Sequence, residues 1–182
     1  SIDGLAEARA AAAGLPLRLI AGVEVSVTWN AQTVHIVGLN VDPENADFCA
    51  GLLSLQSFRD WRAEEIGRRL AKAGIPDAYA GARRFARGRI VSRTHFAHFL
   101  VEQGRARSLR EVFKKFLVRN KPGHVPGEWT NLEQAVGWIR GAGGEAVVAH
   151  PARYPLTGSK LRRLLGEFKD CGGSAMEVVS GS

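Results

Sequence analysis

Between Thr130 and Ser180 the chain alternates helical and extended texture twice, and this rhythm constrains the fold more than any other feature. "TNLEQAVGWIRGAGG" has apolar residues at helical spacing, Thr130 and Glu133 placed as a capping box, and a glycine-rich stop. "EAVVAH" reads as a short apolar strand, "GSKLRRLLGEFKDCGG" as a helix and "SAMEVVS" as a strand. Helix, strand, helix, strand is the order of parallel α/β units. The first of these strands runs into His150 and then Pro151, although a simple loop would need neither residue.

Upstream, Asp3 to Ala13 is a helix candidate, with Asp3 as its N-cap and Gly14 as its stop. "LRLIAGVEVSVTW" and "TVHIVGLNV" are β-rich, alternate around Val23, Val25 and Val27, and are joined by a turn at "NAQ". They form a hairpin or neighbouring strands. From Pro43 to Pro126 the texture is helical throughout. "LLSLQSFRDWRAEEIGRRLAKAG" stops at Gly74, "SRTHFAHFLVEQG" has Ser92 as a cap, and "SLREVFKKFL" starts with a Ser108/Glu111 capping box. The expected division is therefore residues 1–42, a helical insertion at 43–126, and a return to the first texture at 127–182.

A chain of 182 residues suits one embellished domain or two small ones, and 45% hydrophobic residues suffice for a core. No apolar run approaches the ~20 residues of a membrane span, and no signal-peptide pattern opens the chain. Cys49 and Cys171 lie too far apart for a disulfide framework or a cysteine zinc site, so the cytoplasm is the expected compartment. The net charge of +7 favours anionic partners such as nucleotides, phosphates or RNA. The chain opens on Ser1, its only methionine is Met176, and "EVVSGS" ends it directly after an apolar run. It is expected to be an internal piece of a longer protein, or a processed or partial form of one.

Three ionisable side chains fall at or near the ends of apolar strands: Glu24 in "AGVEVS", His35 in "TVHIVG" and His150 in "VVAHP". Carboxylate and imidazole are ligands for Zn, Mn or Fe, and parallel α/β folds gather such groups at C-terminal strand ends. Each histidine alone is more often a hydrogen-bonded structural residue, and Glu24 alone a solvent-facing one; the three together, one followed by proline, leave a metal site and a structural reading level. Arg93 and His95 in "SRTHFAHFL" sit in the first turn of a helix, where free N–H groups and a planar guanidinium suit an anion. Both could also be solvated surface groups, and His98 one turn on is structural or exposed. Arg119, Lys121 and His124 occupy a proline- and glycine-rich loop that could reach over a substrate or simply link two regions. "RRFARGR" could contact a nucleic-acid backbone or be a charged helix face.

Taken together and in order, "GVEVS", "HIVGL", "SRTHFA", "KPGHV" and "AVVAHP" resemble the PHP (polymerase and histidinol phosphatase) superfamily of metal-dependent phosphoesterases. The likeness is greatest to the branch of nucleoside 3′,5′-bisphosphate phosphatases and 5′-to-3′ exoribonucleases. It implies an α/β fold, part of a distorted (β/α)7 PHP barrel with a helical insertion, and a cluster of two or three divalent metals. Manganese is the expected metal, with iron or zinc as alternatives. By this resemblance Glu24 matches a bridging carboxylate, His35 a metal histidine and His150 the histidine of the "AHP" motif. Arg93, His95 and, less directly, Arg153 match substrate-phosphate positions. On this reading the strand ends in His150 because a ligand is needed there, and Pro151 turns the backbone away from the metal.

The family's N-terminal His-x-His, its later Asp-His and its C-terminal Asp-x-His are not in this chain. The resemblance thus implies a hydrolase acting on 3′,5′-bisphosphonucleosides or short 5′-phosphorylated RNA in the longer parent, with the chain alone inactive. A nucleotide or short RNA is the expected partner, with no membrane and no DNA-specific recognition. The alternative is a non-catalytic metal- or nucleotide-binding module that keeps part of the pocket.

Overall fold

A computed structural model describes residues 2–178. They form two compact units, residues 2–55 with 128–178 and residues 56–127. The first unit has a four-stranded mixed sheet in the order β1 (Gly22–Trp29), β2 (Gln32–Leu39), β3 (Glu145–Val148) and β4 (Ala175–Met176). β1–β2 and β2–β3 are antiparallel, and only β3–β4 is parallel. The parallel rhythm expected from the sequence holds for this last pair alone. The longer extended reading also shortens: the first strand begins at Gly22, not at Leu17.

β1 and β2 close on a two-residue turn in which Asn30 (φ 46°) and Ala31 (φ 59°) are both left-handed. Such turns match the twist of a hairpin and require positive φ at both central positions. Asn tolerates this conformation, whereas Ala is strained there. Val23, Val25 and Val27 alternate into a core with Val34, Ile36, Phe48, Val136, Ile139, Val148, Leu164 and Phe168. The helices supplying that core are the N-terminal part of a long helix (Ala46–Lys72), one at Leu132–Gly141 and one at Gly158–Asp170. β2 meets the second of these closely, because a Cβ on Gly38 would lie 2.9 Å from Ile139.

In chain order the helices are α1 (Leu5–Ala12), α2 (Ala46–Lys72), α3 (Ala78–Arg84), α4 (Arg93–Glu102), α5 (Leu109–Val112), α6 (Leu132–Gly141) and α7 (Gly158–Asp170). Gly4, not Asp3, is the N-cap of α1, and Ala13 ends it. Asn131, not Thr130, caps α6 by accepting the Gln134 N–H, while the Thr130 hydroxyl donates to the Gln134 side chain. At α5 the Ser108 hydroxyl accepts from Glu111 N–H, but the Glu111 carboxylate reaches back to Arg107 N–H, one residue beyond the expected donor. α5 then widens into a π-helical turn at Phe113–Leu117.

The second unit is helical and has its own core around Ile66, Leu70, Phe96, Phe99, Leu100, Val112 and Leu117. Glu65, buried on α2, pairs with Arg68 and Arg69. Arg69 also donates to the His124 carbonyl, and Arg62 donates twice to the Val125 carbonyl at 3.1 and 2.9 Å. The "KPGHVP" loop is therefore tied to α2 through its backbone.

Ala31→Gly removes the strained residue from the hairpin turn and is expected to stabilise the chain by about 1 kcal/mol. Thermal denaturation should show a rise of about 2–4 °C. An unchanged or lower midpoint would contradict the turn geometry.

Candidate metal centre

Glu24 and Ser26 project to one face of β1, and His35 stands opposite Ser26 on β2. Glu24 is thus a diagonal neighbour of His35, within reach of a long side chain. Glu24 Oε1 lies 2.8 Å from His35 Nδ1. His150 follows β3 at the position next to Ala149, whose N–H donates to the His35 carbonyl at 3.0 Å. That bond carries His150 to the same place, with Nε2 3.1 Å from His35 Nδ1 and 3.6 Å from Glu24 Oε1. The three residues converge across a sheet face. Glu24 is the third residue of β1 and His35 the fourth of β2, so the expectation of C-terminal strand ends is corrected for these two.

Two imidazole nitrogens and a carboxylate oxygen form a triangle with edges of 2.8, 3.1 and 3.6 Å. A divalent ion bound at ~2.0–2.2 Å sets its neighbouring ligand atoms about 3 Å apart, so the spacing fits a cation. The donor set fits as well, being the N and O ligands chosen by Zn, Mn and Fe. His150 Nδ1 is buried and has no hydrogen-bond partner among the described residues, which leaves Nε2 as the nitrogen facing other polar groups.

The backbone that presents His150 is unusual. His150 is left-handed (φ 33°) and directly precedes Pro151, which starts a short 3-10 turn at Pro151–Arg153. Such a residue costs of order 1–3 kcal/mol and persists only when its surroundings hold it. Here the His150 N–H donates to Glu177 Oε2 at 2.7 Å, and its carbonyl accepts from Arg153 N–H at 2.9 Å. Glu177 is fixed in turn by its own N–H on the Val148 carbonyl.

Tyr154 completes the frame. Its hydroxyl donates to the Ala149 carbonyl at 2.9 Å and accepts from the His35 N–H at 2.8 Å. Burial pushes the Tyr154 phenol above its ordinary range, the His35 N–H opposes that rise, and the Glu24 and Glu177 carboxylates add to it. Tyr154 and Glu177 are residues that sequence reasoning missed. Both lie within a few positions of motifs it had marked, but no spacing rule links a phenol or carboxylate to the backbone of a distant strand.

The expected phosphate residues lie as follows. In the helical unit, Arg93 opens α4 with its guanidinium 5.7 Å from the centre of the Phe113 ring, and partial burial lowers its pKa. Arg62 is pushed down to about 10 by burial, by Arg93 and by Arg59. His124 is held below the usual imidazole range by burial, against its own hydrogen bond to the Leu117 backbone that raises it, and further by Arg62, Arg93 and Arg69. Arg62 and Arg93 thus place positive charge near His124, whose protonation they disfavour. His95 takes a different direction: its Nδ1 accepts the Ser92 N–H at 3.0 Å and caps α4, and its ring lines a cavity with Phe85 and His98. Arg153 belongs to the first unit, exposed on the turn after His150.

The chain is 48% identical over 180 residues, 98% of its length, to the 3′,5′-nucleoside bisphosphate phosphatase of Chromobacterium violaceum. It is 49% identical over 166 residues, 91% of its length, to the 5′-3′ exoribonuclease Rnm of Escherichia coli. It spans 63% and 57% of these two relatives. Among solved structures, an amidohydrolase from Chromobacterium violaceum with bound sulfate and no metal superposes with a TM-score of 0.89 at 47% identity, over 97% of this chain and 63% of that one. A Bifidobacterium adolescentis protein assigned as a metal-dependent phosphoesterase shares the fold, with a TM-score of 0.83 at 22% identity, over 98% of this chain and 63% of that one. No protein-family profile matches the chain. The resemblance to the bisphosphate phosphatase and exoribonuclease branch, read from the ordered motifs, is borne out by these relatives.

Tyr154→Phe leaves the buried His35 N–H without its acceptor and should cost about 1–3 kcal/mol in chemical denaturation at neutral pH. The raised phenol also has a pH signature. Above its ordinary value near 10 the unfolded chain ionises Tyr154 while the folded chain keeps it neutral, so stability falls as pH rises until the folded value is passed. The wild-type-minus-variant difference should therefore shrink over that alkaline window. A difference independent of pH would contradict the buried, neutral phenol.

Proposed function

We propose that the protein of which this chain forms part is a metal-dependent phosphoesterase acting on nucleotides. Its substrates are the 3′-phosphate of a 3′,5′-bisphosphonucleoside or the phosphate esters of a short 5′-phosphorylated RNA. The observation that carries the reading is the convergence of Glu24, His35 and His150 on one point, with ligand-like spacing. It is supported by relatives whose names are those of a bisphosphate phosphatase and exoribonucleases. Manganese is the metal we favour, with iron or zinc as alternatives for the same donors. In the full-length protein the four strands belong to a larger barrel, and the compartment is the cytoplasm.

A divalent ion at this centre supplies Lewis acidity toward a phosphoryl oxygen and lowers the pKa of bound water. This chain's residues supply its hold and its surroundings. His35 Nδ1, His150 Nε2 and Glu24 Oε1 are the ligand atoms. Tyr154 and Glu177 fix the backbone on which the two histidines stand, and so hold the ligand atoms in place. We assign substrate phosphate to Arg93, His95 and Arg153, and add Arg62 because its repulsion with Arg93 is relieved by an anion. No helix among the described residues is long and apolar enough to cross a membrane.

The test is the full-length protein loaded with manganese and given adenosine 3′,5′-bisphosphate and a 5′-phosphorylated short RNA. Release of phosphate or mononucleotide is expected, with His150→Ala lowering kcat/KM by at least about a hundredfold through lost metal. Absence of any hydrolysis, or a His150→Ala variant as active as wild type, would overturn the reading.

A further inference from the structure

We propose that the basic face of the helical unit between Arg105 and Lys121 docks the phosphate backbone of double-helical RNA. The choice of RNA among anionic duplexes rests on the phosphoesterase reading above; the surface itself does not.

The charge of the chain is unevenly spread. "RARSLREVFKKFLVRNK" holds seven of its 25 Lys and Arg residues and one of its 18 acids, so this segment carries +6 of the net +7. All seven cations are exposed. The fold accounts for that. α5 and the π-helical turn after it bury Val112 and Leu117 and pack Leu109, Phe113 and Phe116 against the helical core. Arg110, Lys114 and Lys115 are left on the outer side. Glu111, the single acid, pairs with Lys115 at 2.6 Å and accepts the Arg107 N–H at 2.8 Å. Arg105 donates to the Gly74 carbonyl at 3.4 Å. The other acids paired in the helical unit, Glu65, Glu102 and Asp60, are taken by Arg68, Arg69, Arg84 and Arg89. Arg110, Lys114, Arg119 and Lys121 therefore form no ion pair among the described residues. Like charges four residues apart, as Arg110 and Lys114 are, oppose a helical turn, and a polyanion along this face removes the repulsion.

The rest of the face selects the kind of polyanion. Val118 is its one exposed large apolar side chain, and its two phenylalanines pack against the core. No ring is offered to an unpaired base, which is how single strands are held. No apolar face is offered to the interior of a bilayer. Charge alone remains. Double-stranded RNA is bound through phosphates and shape without reading bases, and a duplex carries a denser line of charge than a single strand. No cation used here belongs to the metal centre or to the residues assigned to substrate phosphate.

The test is titration of a blunt, 3′-labelled RNA duplex with the chain in EDTA at several salt concentrations, read by fluorescence anisotropy. The duplex should bind more tightly than either of its strands. Arg110→Gln/Lys114→Gln should weaken duplex binding at least about fivefold and lower the slope of log K against log salt by about 1.8, two phosphate contacts fewer. Lys160→Gln/Arg162→Gln removes the same charge from the exposed side of α7 and should leave the slope unchanged. Circular dichroism verifies the fold of both. A wild type that binds no duplex, or binds it no tighter than a single strand, overturns the proposal. So does an Arg110/Lys114 variant that binds like wild type, or an α7 variant that loses as much. Phosphatidylserine vesicles bound by wild type, in place of the duplex, would make the partner a membrane surface and overturn it too. Phosphate release from adenosine 3′,5′-bisphosphate by the manganese-loaded full-length protein is scored separately. If it is absent while the Arg110/Lys114 variant loses duplex binding, the phosphoesterase reading fails and the docking face stands. If it is present while that variant binds like wild type, the reverse holds.

Discussion

The hydroxyl of Tyr154 ties together the two backbone segments on which the site depends. It accepts from His35 N–H and donates to the Ala149 carbonyl, while Ala149 N–H bonds the His35 carbonyl. These three bonds fix the separation of His35 and His150 through the backbone, before either ring makes a contact. Burial keeps the phenol neutral, so it remains a donor well into the alkaline range. His150 can then be left-handed ahead of a proline because Glu177 and the following turn hold both its N–H and its carbonyl. The answer to why "AVVAHP" ends in histidine and proline is that the chain leaves the sheet at the residue which must face Glu24 and His35.

The helical unit is organised by a different constraint. Glu65 is a buried carboxylate and needs charge partners, which Arg68 and Arg69 supply. Arg69 and Arg62 then bond the carbonyls of His124 and Val125, so one buried acid on α2 sets the course of a distant loop. Arg62 and Arg93 lie near enough to repel one another and to disfavour protonation of His124, a positive field with a physical use for an anion. On another side of α4 the stack of Phe85 on His98, with Arg87 beside it, forms a surface of different character. One helix start thus serves two directions, Arg93 toward Phe113 and His95 toward Phe85 and His98.

Much of this was legible in the sequence. Alternation placed the hairpin, and the two strand histidines with Glu24 were marked by their ionisable side chains in apolar runs. What misled was direction: helix–strand rhythm suggests parallel neighbours, but β3 pairs antiparallel with β2, and only the register shows that Glu24 and His35 share a face. Capping assignments shifted by one residue where two polar residues compete, as Thr130 and Asn131 do at α6. Tyr154 and Glu177 were not found because their partners are backbone atoms of distant strands, which no local pattern encodes. The motif resemblance supplied what spacing could not, since an isolated strand-end histidine is more often structural than a ligand.

Metal stoichiometry tests the central claim most directly. Titration of the chain with Mn(II), followed by electron paramagnetic resonance of the free ion, is expected to show one site per chain in wild type and none in the His35→Ala or His150→Ala variants, both folded by circular dichroism. Binding that survives both substitutions, or a wild-type chain that takes up no divalent ion, would contradict the assignment of Glu24, His35 and His150 as a metal centre.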